Sequence, residues 1–238
     1  MTAIKPSAVA FEIVTVPDIA GIRCIYDLDV ALSDGDVAEY AFQRQRAASG
    51  GDSLPPHLLR VVEISLAEWS DAGLTVSSLS AADGDEGRLI ERFVARLAAH
   101  DGDVWCWGAR RRQIPILRLR ALTHAVQVCM KGNGSQQDAL ALLCCVADLS
   151  DQLQGASPDL NVPIEQLIRL FGAAPARAFD DAAVWRAWQD GDLKSVTAEC
   201  ERRALATLCV LLRARCVAGV IDGSLCAAAE REIAARRT

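Results

Sequence analysis

An uninterrupted apolar run near the N-terminus, Ala8 to Val16 in the stretch AVAFEIVTVPD, constrains this chain more than any other feature. β-Branched and other apolar residues fill it, and Pro17-Asp18 supplies turn chemistry at its end. A strand that is apolar at nearly every position has to be covered on both faces, which places it at the centre of a sheet. Glu12 is the exception. Either it lies at a strand end and reaches solvent, or it is the altered remnant of a catalytic carboxylate on a buried strand.

The 238 residues are enough to bury a large core. With 51% hydrophobic and 24% charged residues, the composition is that of a globular protein and not of a disordered one. A net charge of −6 argues against a general nucleic-acid coat and leaves a local basic patch as the route to phosphate contact. No apolar run reaches the roughly 20 residues of a membrane span, and the N-terminus does not read as a signal peptide. A cytoplasmic location without membrane contact is therefore expected. The nine cysteines include no CxxC pair, and Cys144 and Cys145 are adjacent, which suits neither a zinc knuckle nor a simple bridge. Cys209 and Cys216, a heptad apart among leucines and valines, read as buried thiols on one helix face. His57, His100 and His124 are scattered, so no structural metal is expected.

Along the chain, Ser33 to Gln45 reads as a helix with Ser33 as N-cap and Asp36 three residues on. Arg60 to Glu68 alternates as a half-buried strand, Ser70 to Gly73 is a hairpin turn, and Leu74 to Leu79 is the returning strand. Asp83 to His100 is the clearest amphipathic helix, with Leu89, Ile90, Phe93, Val94 and Leu97 at helical spacing. Val104 to Trp107 is a short strand, Gly108 to Arg112 a loop, and Ile114 to Val126 a helix with Pro115 in its first turn. Lys131 to Gln137 reads as a mobile polar loop, Asp138 to Leu153 as a helix, and Ser157 to Val162 as a connector. Short helices follow over Ile164 to Phe171 and Ala182 to Trp188, then a long one from Leu193 to about Val220 and a terminal one. This order predicts an α/β fold with a mixed sheet of about five strands flanked by helices, a helical portion from about residue 193, and one domain over residues 1–238.

Four separated segments resemble one family in order. FEIVTVPD (Phe11 to Asp18) is similar to the first motif, FDIETVPD, of predicted bacterial 3′-5′ exonucleases related to the proofreading domain of family-B DNA polymerases. WCWGARRRQIPILRLRAL (Trp105 to Leu122) resembles their second motif. ADLSDQL (Ala147 to Leu153) resembles a His-x-Asp-Leu-x-Asp-Leu segment, and VWRAWQDGDLKSVTAECERRALAT (Val184 to Thr207) the segment ending in Tyr-Cys-Glu-x-Asp-x-x-x-Thr. The resemblance spans Ala8 to about Ala235 and implies the ribonuclease-H-like sheet of the DEDD exonucleases. In that family four carboxylates hold two magnesium or manganese ions, which activate a water and stabilise the phosphate in flight.

The resemblance puts Glu12, Val14, Gln113 and Arg203 at those four positions. The formal charge of the set changes from about −4 to about 0, removing what a divalent ion needs. Glu199 stands where a tyrosine would orient the water, and Gly108 where the second motif has Asn. The implied reading is a degenerate exonuclease without a cofactor, acting as a nucleic-acid-binding or partner-binding subunit. Its implied partners are a single-stranded nucleic acid or a protein of a nucleic-acid-processing complex. Two rivals stand beside it: a live metal-dependent exonuclease rebuilt from Glu12, Asp148, Asp151 and Glu199, and a purely protein–protein module. Asp148 and Asp151, at i and i+3, read either as solvent-facing acids or as a residual metal site. Arg110, Arg111, Arg112, Arg118 and Arg120 form the densest basic cluster, which reads either as a solvated face or as a phosphate contact. An ion pair between Glu12 and Arg203 is expected if strand and long helix meet as in the family.

Overall fold

The computed structural model describes residues 7–81, 85–100, 102–129, 136–155, 162–172 and 181–236. Its central strand is β1 (Ala8–Pro17), followed by α1 (Ile19–Tyr26) and α2 (Asp34–Ser49). β2 (Leu59–Ser70) and β3 (Gly73–Ser80) form a hairpin, and α3 (Glu86–Ala99) leads to β4 (Val104–Cys106) and α4 (Ile114–Thr123). Two-residue strands β5 (Val128–Cys129) and β6 (Gln136–Gln137) pair with each other, and α5 (Ala139–Cys144) precedes β7 (Ala147–Asp148) and α6 (Leu149–Gln154). α7 (Ile164–Leu170), α8 (Asp181–Gln189), α9 (Leu193–Val217) and α10 (Gly223–Arg236) make the helical C-terminal half.

The sheet order is β3-β2-β1-β4-β7. β1–β2 and β2–β3 are antiparallel, whereas β1–β4 and β4–β7 are parallel. This mixed sheet with helices on both faces is the ribonuclease-H-like arrangement that the sequence predicts. Strand alternation divides the core into two layers. Val9, Phe11 and Ile13 pack with Ile22, Leu89, Phe93 and Leu117 on the α1–α5 side, and the Phe11 and Phe93 rings lie 4.7 Å apart. Ala8 and Ala10 face the opposite layer with Leu208 and Leu212 of α9, and Val14 and Val16 meet Val184, Val196 and Cys200 there. By the same alternation, Glu12 points toward α9.

Local chemistry sets the element boundaries. Ser33 accepts a hydrogen bond from Asp36 N, and Asp36 accepts from Ser33 N, the reciprocal capping box its spacing predicts. α1 is unanticipated by the sequence reading. The Asp18 carboxylate accepts from Gly21 N at 3.2 Å, so the turn that ends β1 also starts a helix. Residues 109–113 form a π-helical turn, not the loop expected there. It begins at Gly108, whose φ of +66° favours glycine. The helix expected over Asp138 to Leu153 is broken: Ala147 and Asp148 pair in parallel with Trp105 and Cys106, and Asp148 caps α6. Residues 131–135 of the expected polar loop and 157–161 of the expected connector lie outside the described residues. Cys209 is buried and Cys216 half-buried on α9, while Cys144 and Cys145 are exposed.

Candidate active site

Glu12 is 7% exposed, so it does not reach solvent at a strand end. Its Oε1 accepts from Thr207 Oγ1 at 2.6 Å and from Trp107 N at 3.3 Å, and its Oε2 accepts from Gln113 Nε2 at 2.5 Å. Gln113 is itself fixed. Its Oε1 accepts from Ile13 N at 3.2 Å, and its Nε2 also donates to Trp107 O at 3.1 Å. Cys200 Sγ, one turn before Arg203 on α9, donates to Glu12 O at 3.3 Å. Burial pushes the Glu12 carboxyl up to about 7, against the opposing pull of Thr207, Gln113, Trp107 N–H and the Arg203 charge. Burial, with Glu12 and Asp148 nearby, likewise raises the Cys106 thiol well above its ordinary value.

Val14 is buried in the apolar cluster under α8 and α9. Across β1–β2 it pairs with Glu63, a buried acid that the sequence reading does not single out. Burial raises Glu63 in spite of bonds to Ser80 and Thr197, and its Oε1 has no hydrogen-bond partner. A carboxylate is thus present one strand away from Val14.

Arg203 does not form the expected ion pair with Glu12. Its Nε donates to Glu199 Oε1 at 2.7 Å, and its Nη2 lies 3.7 Å from Asp181. Glu199 is closed from its other side by Arg202, through bonds of 2.7 and 2.8 Å. Burial raises the Glu199 carboxyl, but the two guanidiniums outweigh it and hold it below the usual range. Arg203 therefore influences Glu12 through space, while it hydrogen-bonds Glu199 and lies at ion-pair distance from Asp181. The reason is helix geometry, since residues three and four apart on α9 are neighbours and the local acid wins.

The basic cluster divides in two. Arg110 N donates to Asp148 Oδ2 at 2.8 Å, anchoring the π-helical turn to the cap of α6. Arg110 and Arg111 each lie 3.8 Å from Asp151, and Arg112 pairs with Asp181 at 2.7 Å. The Arg110 side chain is 72% exposed, and Arg118 is exposed on α4. Arg120 does not belong to this surface. It is buried, donating to Asp18 at 2.6 Å and to Glu86 at 2.5 and 2.9 Å, where Glu86 also accepts from Val61 N. Asp148 is not solvent-facing either, because its Oδ1 accepts from Ser150 N, Ser150 Oγ and Asp151 N.

The structure thus brings Glu12 into direct contact with Gln113, sets Val14 on the same strand face, and keeps Arg203 near Glu12 without contact. Among the described residues, no group of three His, Cys, Asp or Glu side chains could hold a metal ion. The residues present do not fit a divalent pair. The Glu12 oxygens are occupied by donors, Gln113 aims an N–H at them, and a guanidinium lies nearby. Thr207 closes the fourth family segment in the sequence reading but is given no role there, and Asp181 escapes that reading altogether. Thr207, a hydroxyl in the apolar stretch ALATLCVLL one turn beyond Arg203, carries a visible signal; Asp181 carries none.

The family of predicted 3′-5′ exonucleases related to the exonuclease domain of PolB matches residues 51–236. Gln113, Glu199 and Arg203 fall inside that span, whereas β1 with Glu12 and Val14 precedes it. No curated protein gives a significant match. With the match covering most of the chain and the sheet order in agreement, the chain belongs to the family of predicted 3′-5′ exonucleases related to the exonuclease domain of PolB.

Proposed function

We propose that this chain is a catalytically inactive member of its family that binds single-stranded nucleic acid without cleaving it. The single observation that carries this reading is the hydrogen-bonded closure of Glu12 by Thr207, Gln113 and Trp107 N–H. A carboxylate ligating magnesium needs free oxygens and anionic company; Glu12 has neither. The rebuilt-site rival draws less support. Asp148 is engaged in capping α6 and binding Arg110 N, and Glu199 is held between two arginines. Binding is assigned to Arg110, Arg111 and Arg112 on the exposed turn beside the site. Their acid partners Asp151 and Asp181 hold them through contacts that phosphates can replace.

The test is to incubate purified protein with an end-labelled single strand and magnesium or manganese. Expected are a mobility shift that weakens as salt rises and an intact 3′ end. Digestion that EDTA abolishes and Glu12→Ala removes overturns the inactive reading. Undetectable binding at low salt overturns the nucleic-acid reading and favours a protein–protein module.

A further inference from the structure

A cleft of about 580 Å³ opens at the C-terminal end of β1, between the start of α1 and the far end of α8. Its walls include Trp185 and Trp188, two arginines and two aspartates. Both indoles are half-buried, so each keeps part of a ring available to the cleft. Three of the four charges have opposite partners within the protein. Arg23 donates to Asp34 at 3.2 Å and to two backbone carbonyls, and Asp18 pairs with Arg120. Arg60 is different. Its guanidinium sits 5.9 Å from the centre of the Trp188 ring, its Nε is buried without a hydrogen-bond partner, and no carboxylate lies within ion-pair distance among the described residues. The guanidinium thus lines the cleft as a positive charge without a carboxylate partner, to which an anion entering the cleft is the electrostatic complement.

We infer that this cleft binds a nucleotide, with its base stacked on the indole of Trp188 or Trp185 and its phosphate on Arg60. Both features are needed for that ligand. An indole supplies a π face that any base can stack on, and the unbalanced positive charge supplies the complement to a phosphate. The volume lies within the range of small-ligand sites. The inference that the nucleotide belongs to a single strand rests on the proposed function. Asp181, at the first turn of α8, touches Arg112 of the arginine turn, while Trp188 lies seven residues further along the same helix, about 10 Å at helical rise. A single strand crossing the arginine turn therefore reaches the cleft along α8. Free nucleotide is the other source of the same chemistry.

Two ligands distinguish them: an oligothymidylate of about eight nucleotides, read by fluorescence anisotropy, and a nucleoside monophosphate, read by quenching of tryptophan emission. For the single strand, Trp188→Leu should weaken binding about 5- to 100-fold, and Trp188→Phe less. Arg60→Gln should lower the slope of log affinity against log salt by about one, while Arg60→Lys keeps it. The Arg60 pair carries the test if Trp188→Leu does not fold. Single-strand binding that responds to Arg110→Ala, Arg111→Ala and Arg112→Ala but to no cleft variant overturns this inference and leaves the proposed function standing. Quenching by the monophosphate that Arg60→Gln abolishes, without single-strand binding, upholds the cleft as a nucleotide site and overturns the proposed function. Absence of both signals overturns the inference.

Discussion

Glu12 carries its burial as a pH-dependent cost. Its carboxyl titrates at about 7 in the fold against 4.5 for an ordinary glutamate, so the folded state holds the proton more tightly than the unfolded chain. The resulting stabilisation is fully present below pH 4.5 and is lost as pH rises through about 7. The shift corresponds to roughly 2–4 kcal/mol. Glu12→Gln removes that titration. Relative to the wild type, its unfolding free energy should climb between pH 4.5 and 7 and stay level above, whatever its constant offset. Denaturant melts at stepped pH read this directly, and parallel curves for the two proteins would show that Glu12 is not buried as described. Thr207→Val removes the 2.6 Å donor at nearly constant shape. It should cost about 1–3 kcal/mol above neutral pH and less in acid, where the carboxyl is protonated. Equal losses at both pH values would assign the cost to packing and not to the hydrogen bond.

Among the elements, α4 depends on Arg120, which ties the cap of α1, the first turn of α3 and the start of β2 together through Asp18 and Glu86. Removing one partner of a buried pair strands the other, so Arg120→Met should cost about 3–5 kcal/mol, with Glu86→Gln in the same chain recovering part of it. Thermal or denaturant unfolding of the two variants checks this; a loss below ~1 kcal/mol would place Arg120 in solvent, where surface pairs contribute that little. Asp148 plays the corresponding part for the arginine turn. Asp148→Ala should cost about 1 kcal/mol as a lost cap and speed amide exchange at Arg110. Unchanged exchange there would mean that the turn holds without its anchor. The strands β1 to β4, α2 with its capping box, α3 and α9 are legible in the sequence because periodicity and caps are local. Arg120 is not, because five arginines in a short stretch look alike until tertiary packing buries one of them opposite Glu86. The break at Ala147-Asp148 is hidden for a related reason, as its strand pairing with β4 lies about forty residues back in the chain.

At the scale of the whole molecule, the sheet is that of the family's fold, while the four positions that the resemblance aligns with metal ligands carry Glu12, Val14, Gln113 and Arg203. Phe11, Ile13, Leu208 and Leu212 build the two layers around β1; of the four aligned positions, Glu12 and Gln113 bond each other, Val14 packs in the apolar cluster under α8 and α9, and Arg203 pairs with Glu199. The identities of those four residues are legible in the sequence only through family resemblance. The closure of Glu12 is not, since Thr207 and Trp107 N–H reach it from elements nearly two hundred and nearly one hundred residues away. Among the described residues no helix is long and apolar enough to cross a membrane. The central claim, that these positions share one face and no longer bind metal, is tested most directly by melting with and without millimolar manganese. The wild type is compared with the combined variant Glu12→Asp, Val14→Glu, Gln113→Asp and Arg203→Asp. The wild type should show no shift. The combined variant should be less stable when metal-free, because Val14 is buried, and should recover melting temperature with manganese, since a ligand that binds only the folded state stabilises it. A metal-dependent rise in the wild type, or a folded combined variant indifferent to manganese, would contradict the account.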